Sequence, residues 1–296
     1  MKIPWEKSIW FFDIDDTLID TANTSNLAST GIKNFLSKSF PESIAVKIAK
    51  GFNNLFDLMV AGYRVKNESD WENVPGGKPG FDNFIKRMEQ RQQSIIKKYG
   101  AIKKWSREML ISFAAEDIGI KLSPNQAKEA ADAYWLELTN RTEILPGVLE
   151  LFAEITGHNR PIYFITSSDA RLQMDKQRNF TYEPKYSESL KRKRIELLKQ
   201  KGIKFDGLAI GDPEDKPHLD FFLKGIKIAE KNLGNKLDYS NCLMFGDSYS
   251  GDLETPKNKL GFGLVVLYIK GLDQTKIEDE HFISTGNIHE VLKFLN

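Results

Sequence analysis

Three short runs of unbroken apolar residues, each stopped abruptly by a polar turn, constrain this chain more than anything else in it. They are Ser8 to Phe12, Pro161 to Ile165 and Asn241 to Phe245. Each is rich in β-branched or aromatic residues, and a strand without polar alternation must be buried on both faces. A parallel sheet covered by helices on both sides meets that demand, so the expected class is α/β with a Rossmann-like core. The turns that follow are Asp13-Ile14-Asp15-Asp16-Thr17, Thr166-Ser167-Ser168-Asp169, and Gly246-Asp247-Ser248 with Asp252 close behind. In open sheets of this kind ligands gather beyond the carboxyl ends of the strands. Three distant segments should therefore deliver Asp, Thr and Asp to one edge.

Between the first two runs lie about 120 residues with helical periodicity and almost no strand signal. Ile44, Ile48, Phe52, Leu55, Phe56, Met59, Val60 and Tyr63 fall on one stripe, and Phe84, Ile85, Met88, Ile95, Ile96 and Tyr99 on another. Ser123-Pro124 starts a further helix, a capping residue followed by proline at the first helical position. The expectation is a helical insertion over 21–144 within a catalytic core made of 1–20 and 145–296. Leu145-Pro146-Gly147-Val148 closes the insertion. Gly76-Gly77-Lys78-Pro79-Gly80 lacks the Ser or Thr of a P-loop and reads as a loop of the insertion. Gly263 to Ile269 reads as another strand, and a last helix is expected near Ile288 to Leu295.

Composition narrows the partners. Lys plus Arg is 42 and Asp plus Glu is 41, a formal net charge of +1, so no global field favours nucleic acid or an anionic membrane. No apolar stretch approaches the roughly 20 residues that cross a bilayer. The first residues carry charges through what would be the apolar part of a signal peptide. The single cysteine, Cys242, can form neither an internal disulfide nor a zinc cluster, and a cytoplasmic location is expected.

Asp13 and Asp15, one residue apart at a strand end, point toward the same small volume if strand alternation continues. Two close carboxylates repel, and a hard divalent cation relieves that repulsion. Asp247 adds a further oxygen ligand. Oxygen ligands without His or Cys fit magnesium better than zinc. A metal beside a free carboxylate, a hydroxyl and a lysine suits phosphoryl transfer, whose transition state spreads charge over three oxygens.

These residues resemble, across nearly the full length, the four ordered motifs of the haloacid dehalogenase (HAD) superfamily. Asp13-Ile14-Asp15-Asp16-Thr17 is similar to the first, DxDxT, and Thr166 to the hydroxyl residue that ends the second strand. Lys216-Pro217 resembles the third, with His218-Leu219 departing from its usual second proline, and Gly246-Asp247-Ser248 with Asp252 the fourth. The insertion looks like that family's C1-type helical cap. The resemblance implies a HAD-like fold and a magnesium-dependent phosphatase for a small phosphorylated metabolite. It implies Asp13 as nucleophile, Asp15 as leaving-group acid and then base, and Thr17 as the group that holds Asp15. Thr166, Ser167 and Lys216 are implied to bind the phosphate. Asp13, the Asp15 carbonyl and Asp247 are implied as metal ligands, with Asp252 supporting the metal or Lys216. A phosphomutase or phosphotransferase would use the same core residues. A module that stores phosphate without turnover is the alternative from another class. Lys191 and Lys193 are the substitutes for Lys216, although the run Lys191 to Arg194 reads as one solvated helix face.

Overall fold

The computed structural model describes residues 3–65, 67–100, 105–168, 172–182, 184–211 and 215–295. In chain order the elements begin with β1 (Ile9–Phe12), α1 (Thr21–Leu36), α2 (Glu42–Arg64), α3 (Gly77–Arg91), α4 (Gln93–Tyr99), α5 (Arg107–Glu116) and α6 (Pro124–Asn140). There follow α7 (Val148–Gly157), β2 (Ile162–Ser167), β3 (Leu172–Met174), β4 (Phe180–Tyr182), α8 (Pro184–Gln200), β5 (Gly207–Gly211) and α9 (Leu219–Leu233). The last are β6 (Cys242–Gly246), β7 (Leu264–Tyr268), β8 (Lys276–Asp279) and β9 (Phe282–Thr285).

The chain divides into two compact units. The first joins Met1–Ala22, Thr142–Ser168 and Lys191–Asn296. Among the described residues its sheet has seven strands in the order β5-β2-β1-β6-β7-β9-β8, parallel except where β8 runs against β9. In the register at its centre, Phe12 lies opposite both Phe164 and Phe245. Trp10, Phe12, Phe164, Leu243 and Phe245 share one face and are buried with Leu151, Phe152 and Ile155 of α7 and Ile195 and Leu198 of α8. Phe11, Tyr163, Ile165 and Met244 share the other and are buried with Phe221, Phe222 and Ile226 of α9. A strand with large apolar side chains on both faces can sit only in the middle of such a sandwich, because each such side chain gains about 1.5–3 kcal/mol by burial. That is why β1 is central. The edge strand β8 is exposed throughout and carries Lys276, Glu278 and Asp279, which discourage further strand pairing.

The second unit joins Asn23–Arg141 and Asp169–Leu190. It is a helical bundle whose core includes Ile32, Ile48, Phe52, Met88, Phe113 and Tyr134. Its composition differs from the insertion expected over 21–144, since the β3–β4 hairpin and the start of α8 belong with it. The reason is packing: Leu172, Met174, Phe180, Tyr182 and Leu190 are buried in the bundle's core. Each hairpin strand has three residues and alternates buried, exposed, buried, too short a period to register beside a helical pattern. Two local expectations also change. Gly77 to Gly80 form the first turn of α3 rather than a loop. The last segment, Ile288–Phe294, is a 3-10 helix, in which Ile288 and Val291 align at i, i+3 and are buried.

Candidate active site

All eight side chains that the motifs single out lie in the first unit. β1 is buried along its whole length and ends at Asp13, whose N–H continues the ladder by donating to the Phe245 carbonyl at 2.9 Å. Asp13 is 4% exposed. From the neighbouring β6, Gly246 leads into Asp247 and a π-helical turn, Tyr249–Leu253, that carries Asp252. Asp252 folds back over the strand end and accepts from the Ser248 N–H at 3.0 Å. A Cβ on Gly246 would stand 2.3 Å from the Cβ of Asp252, so only glycine permits that approach.

Carboxylate oxygens of Asp13, Asp247 and Asp252 lie within 4.8 Å of one another. Lys216, in the turn before α9, donates to Asp13 Oδ1 and, at 2.5 Å, to Asp252 Oδ1. The ammonium therefore bridges Asp13, just after β1, and Asp252, in the turn after β6. Burial would lower the Lys216 pKa, but the two carboxylates outweigh it and hold the group above its ordinary value. Burial pushes Asp13 up to about 7 despite Lys216, with Asp252 and Asp15 adding to the rise. Burial likewise pushes Asp247 up to about 8, helped by the charges of Asp13 and Asp252. Three clustered carboxylates against one lysine leave negative charge that burial disfavours. A hard divalent cation fits that donor set, because oxygen ligands alone converge there.

Asp15 does not join the acidic trio with its side chain. Its carboxylate accepts from Lys191, from Arg194 Nη1 at 2.6 Å and from Thr21 Oγ1 at 2.7 Å. Burial would raise its pKa, but Lys191 and Arg194 overcome that and hold it well below the usual carboxylate range. Thr17, expected to steady Asp15, has a buried hydroxyl without a hydrogen-bond partner. The cause is the turn at Asp16, whose φ of +57° redirects the chain so that the first turn of α1, at Thr21, meets Asp15 instead. Asp16 itself accepts from the N–H groups of Thr21 and Ala22 at 2.9 and 2.7 Å, satisfying the start of α1.

On β2, alternation puts Thr166 on the face of Ile162 and Phe164, and Ser167 on the face of Tyr163 and Ile165. The Thr166 hydroxyl is buried and donates to the Ser167 carbonyl at 3.4 Å. No hydrogen bond among the described residues joins it to Asp13 or Lys216. Ser167 instead donates to Asp215 Oδ1 at 2.8 Å, and the same oxygen accepts from the Lys216 N–H at 2.8 Å. Ser167 is thus tied to the lysine turn. Asp212, Pro213 and Glu214 of the third motif's run lie outside the described residues.

Sequence reasoning missed Arg194 and Thr21 and misread Lys191. The run Lys191 to Arg194 is split: Arg192 and Lys193 are exposed, whereas Lys191 is 3% and Arg194 2% exposed. A signal was present. The buried Ile195 and Leu198 each have a basic residue four positions earlier, Lys191 and Arg194, which sets both on the buried stripe of α8.

A parallel core whose β1 and β6 lead into Asp13 and Asp247, with Lys216 in the turn before α9 and a helical unit inserted after the first strand, has the architecture of the HAD-like fold. Neither a protein-family model nor a curated protein matches the sequence. Solved structures do. A putative HAD-hydrolase from Bacillus subtilis, bound to magnesium, aligns over 100% of both chains at 12% identity with a TM-score of 0.54. A defluorinating L-2-haloacid dehalogenase aligns over 100% of this chain and 98% of its own at 13% identity and a TM-score of 0.52. A putative β-phosphoglucomutase from Thermotoga maritima aligns over 97% of this chain and 98% of its own at 18% identity and a TM-score of 0.51. At these identities the likeness is one of fold.

Proposed function

We propose that the protein is a magnesium-dependent phosphatase that hydrolyses a small phosphate monoester through an aspartyl phosphate on Asp13. The observation that carries this reading is the Lys216 ammonium shared between Asp13 and Asp252, with Asp247 beside them. Asp13, the Asp15 carbonyl and Asp247 would hold the magnesium, with Asp252 as support. The metal would supply charge neutralisation that lets the anionic nucleophile meet an anionic substrate. Asp13 attacks phosphorus as the bond to the leaving oxygen breaks, and that oxygen takes a proton from solvent water; a second water then attacks the acyl phosphate, passing its proton to Asp15 and on to solvent, which releases phosphate and restores the Asp13 carboxylate. Lys216, Ser167 and the backbone at Thr166 hold the transferring oxygens. Asp15, ionised as it stands, suits the base that activates that water. The net charge of +1 supports a small-metabolite substrate over a polyanion, and the lone cysteine supports a cytoplasmic setting.

A second reading is favoured by one observation. Halide leaves without a proton, and Asp15 is held as a carboxylate, so carbon–halogen hydrolysis is the alternative. Phosphate and halide release, assayed side by side with magnesium, separates the two. The phosphatase reading expects phosphate release that falls at least about a thousandfold in Asp13→Asn, and a comparable loss with a chelator. Full turnover after either treatment would remove it.

A further inference from the structure

Lys191 and Arg194 stand one helical turn apart on α8, and both reach the carboxylate of Asp15. Their burial is unequal to that of their partner. The Lys191 and Arg194 side chains are 3% and 2% exposed, whereas that of Asp15 is 30% exposed. The acid faces outward and the cations stand behind it. Arg194 is fixed on two further sides, donating through Nε to Thr142 Oγ1 and through Nη2 to Thr21 Oγ1, each at 3.0 Å. Lys191 is not. An ammonium has three N–H donors, and among the described residues the only acceptor bonded to Lys191 is Asp15, which Arg194 shares. A buried ammonium with unused donors is costly unless an acceptor completes it. Its charge acts on Asp13, so it stands near the reacting carboxylate without taking part in the Lys216 bridge.

From this geometry we infer that Lys191, braced by Arg194, is a binding site for a second anionic group on the substrate, a carboxylate or phosphate a few atoms from the scissile ester. The inference rests on the phosphatase reading and names its substrate class. The scissile phosphate engages Lys216, while the second anion takes the unused Lys191 donors beside Asp15.

Matched esters on one carbon skeleton test it. Phospholactate carries a carboxylate, propylene glycol bisphosphate a second phosphate, and isopropyl phosphate neither. A hydrogen-bonded ion pair predicts kcat/KM at least about tenfold higher for one of the doubly anionic esters than for isopropyl phosphate. Which ester wins tells carboxylate from phosphate. Lys191→Met should collapse that ratio to near one, chiefly through KM, and Lys191→Arg should retain it. Equal kcat/KM for all three esters in the unmodified protein overturns the inference without any variant. So does a ratio that survives Lys191→Met, or one lost through kcat alone, which marks a group that merely positions Asp15. Release of phosphate from none of them withdraws the phosphatase reading instead. The second-anion site is then judged by calorimetric binding to the Asp13→Asn protein, where equal affinities for phospholactate and isopropyl phosphate overturn it.

Discussion

Asp13 and Asp247 are poised to change charge in the neutral range, and their shifts fix how stability should respond to pH. Both pKa values lie above the ordinary 3.8, at about 7 and about 8. In the metal-free protein the folded state therefore keeps protons that the unfolded chain has released. Their contribution is fully present below about pH 4 and is lost as pH rises through about 8. Asp15 works in the opposite sense, its stabilisation being lost only in strong acid, because Lys191 and Arg194 hold it below the usual range. Chemical denaturation in a chelator should thus show stability falling by a few kcal/mol between pH 5.5 and pH 8.5. Excess magnesium should remove most of that fall, since the cation replaces the protons. A flat or rising profile in chelator would mean that the three carboxylates do not crowd one another in solution. The identities of Asp13, Asp247, Asp252 and Lys216 were legible because each follows a strand or opens a helix in a recognisable order. The partners of Asp15 were not, since a backbone turn at positive φ and the facing of one helix decide them.

Among elements, the short hairpin β3–β4 depends on one acid. Arg178, in the hairpin turn, donates through Nε to Glu116 Oε1 at 2.9 Å and through Nη1 to the Leu122 carbonyl at 2.8 Å. Glu116 also receives Arg87 and Arg91, each at 2.8 Å. A two-stranded hairpin of this length is not stable by itself, so it needs such an anchor in addition to its buried Leu172 and Phe180. Removing the acid would leave three guanidinium groups facing one another. Glu116→Ala should cost on the order of 2–4 kcal/mol in unfolding of this unit, and should speed amide exchange first in 172–182. Unchanged exchange in the hairpin would show that apolar packing alone retains it. The four strands β1, β2, β6 and β7 were readable as continuous apolar runs, and α2, α3 and α6 as stripes or capped starts. β5 was not, because Gly207-Leu208-Ala209-Ile210-Gly211 is flanked by glycines and owes its place to pairing with β2. The β3–β4 hairpin was hidden because it belongs to the bundle only by burial.

At the scale of the whole chain, the division of the core governs how the molecule should unfold. No residue of the bundle's core is also a member of the two clusters that sandwich the sheet. Each compact unit therefore closes its own apolar interior, and the cooperative unit of melting is expected to be the unit rather than the chain. The acidic trio and Lys216 belong to the sheet unit alone. A cation bound there stabilises that unit by mass action and does nothing directly for the bundle. Scanning calorimetry in chelator should resolve two transitions. Titration with magnesium should raise one of them, with the shift growing as the logarithm of free metal, while Glu116→Ala should lower the other. The assignment can be made without separating the units, because Asp247→Asn should abolish the metal-dependent shift and leave the response to Glu116→Ala in place. A single transition that both perturbations move together would show that the two interiors melt as one, and the separation of their cores would then not be the boundary of cooperativity.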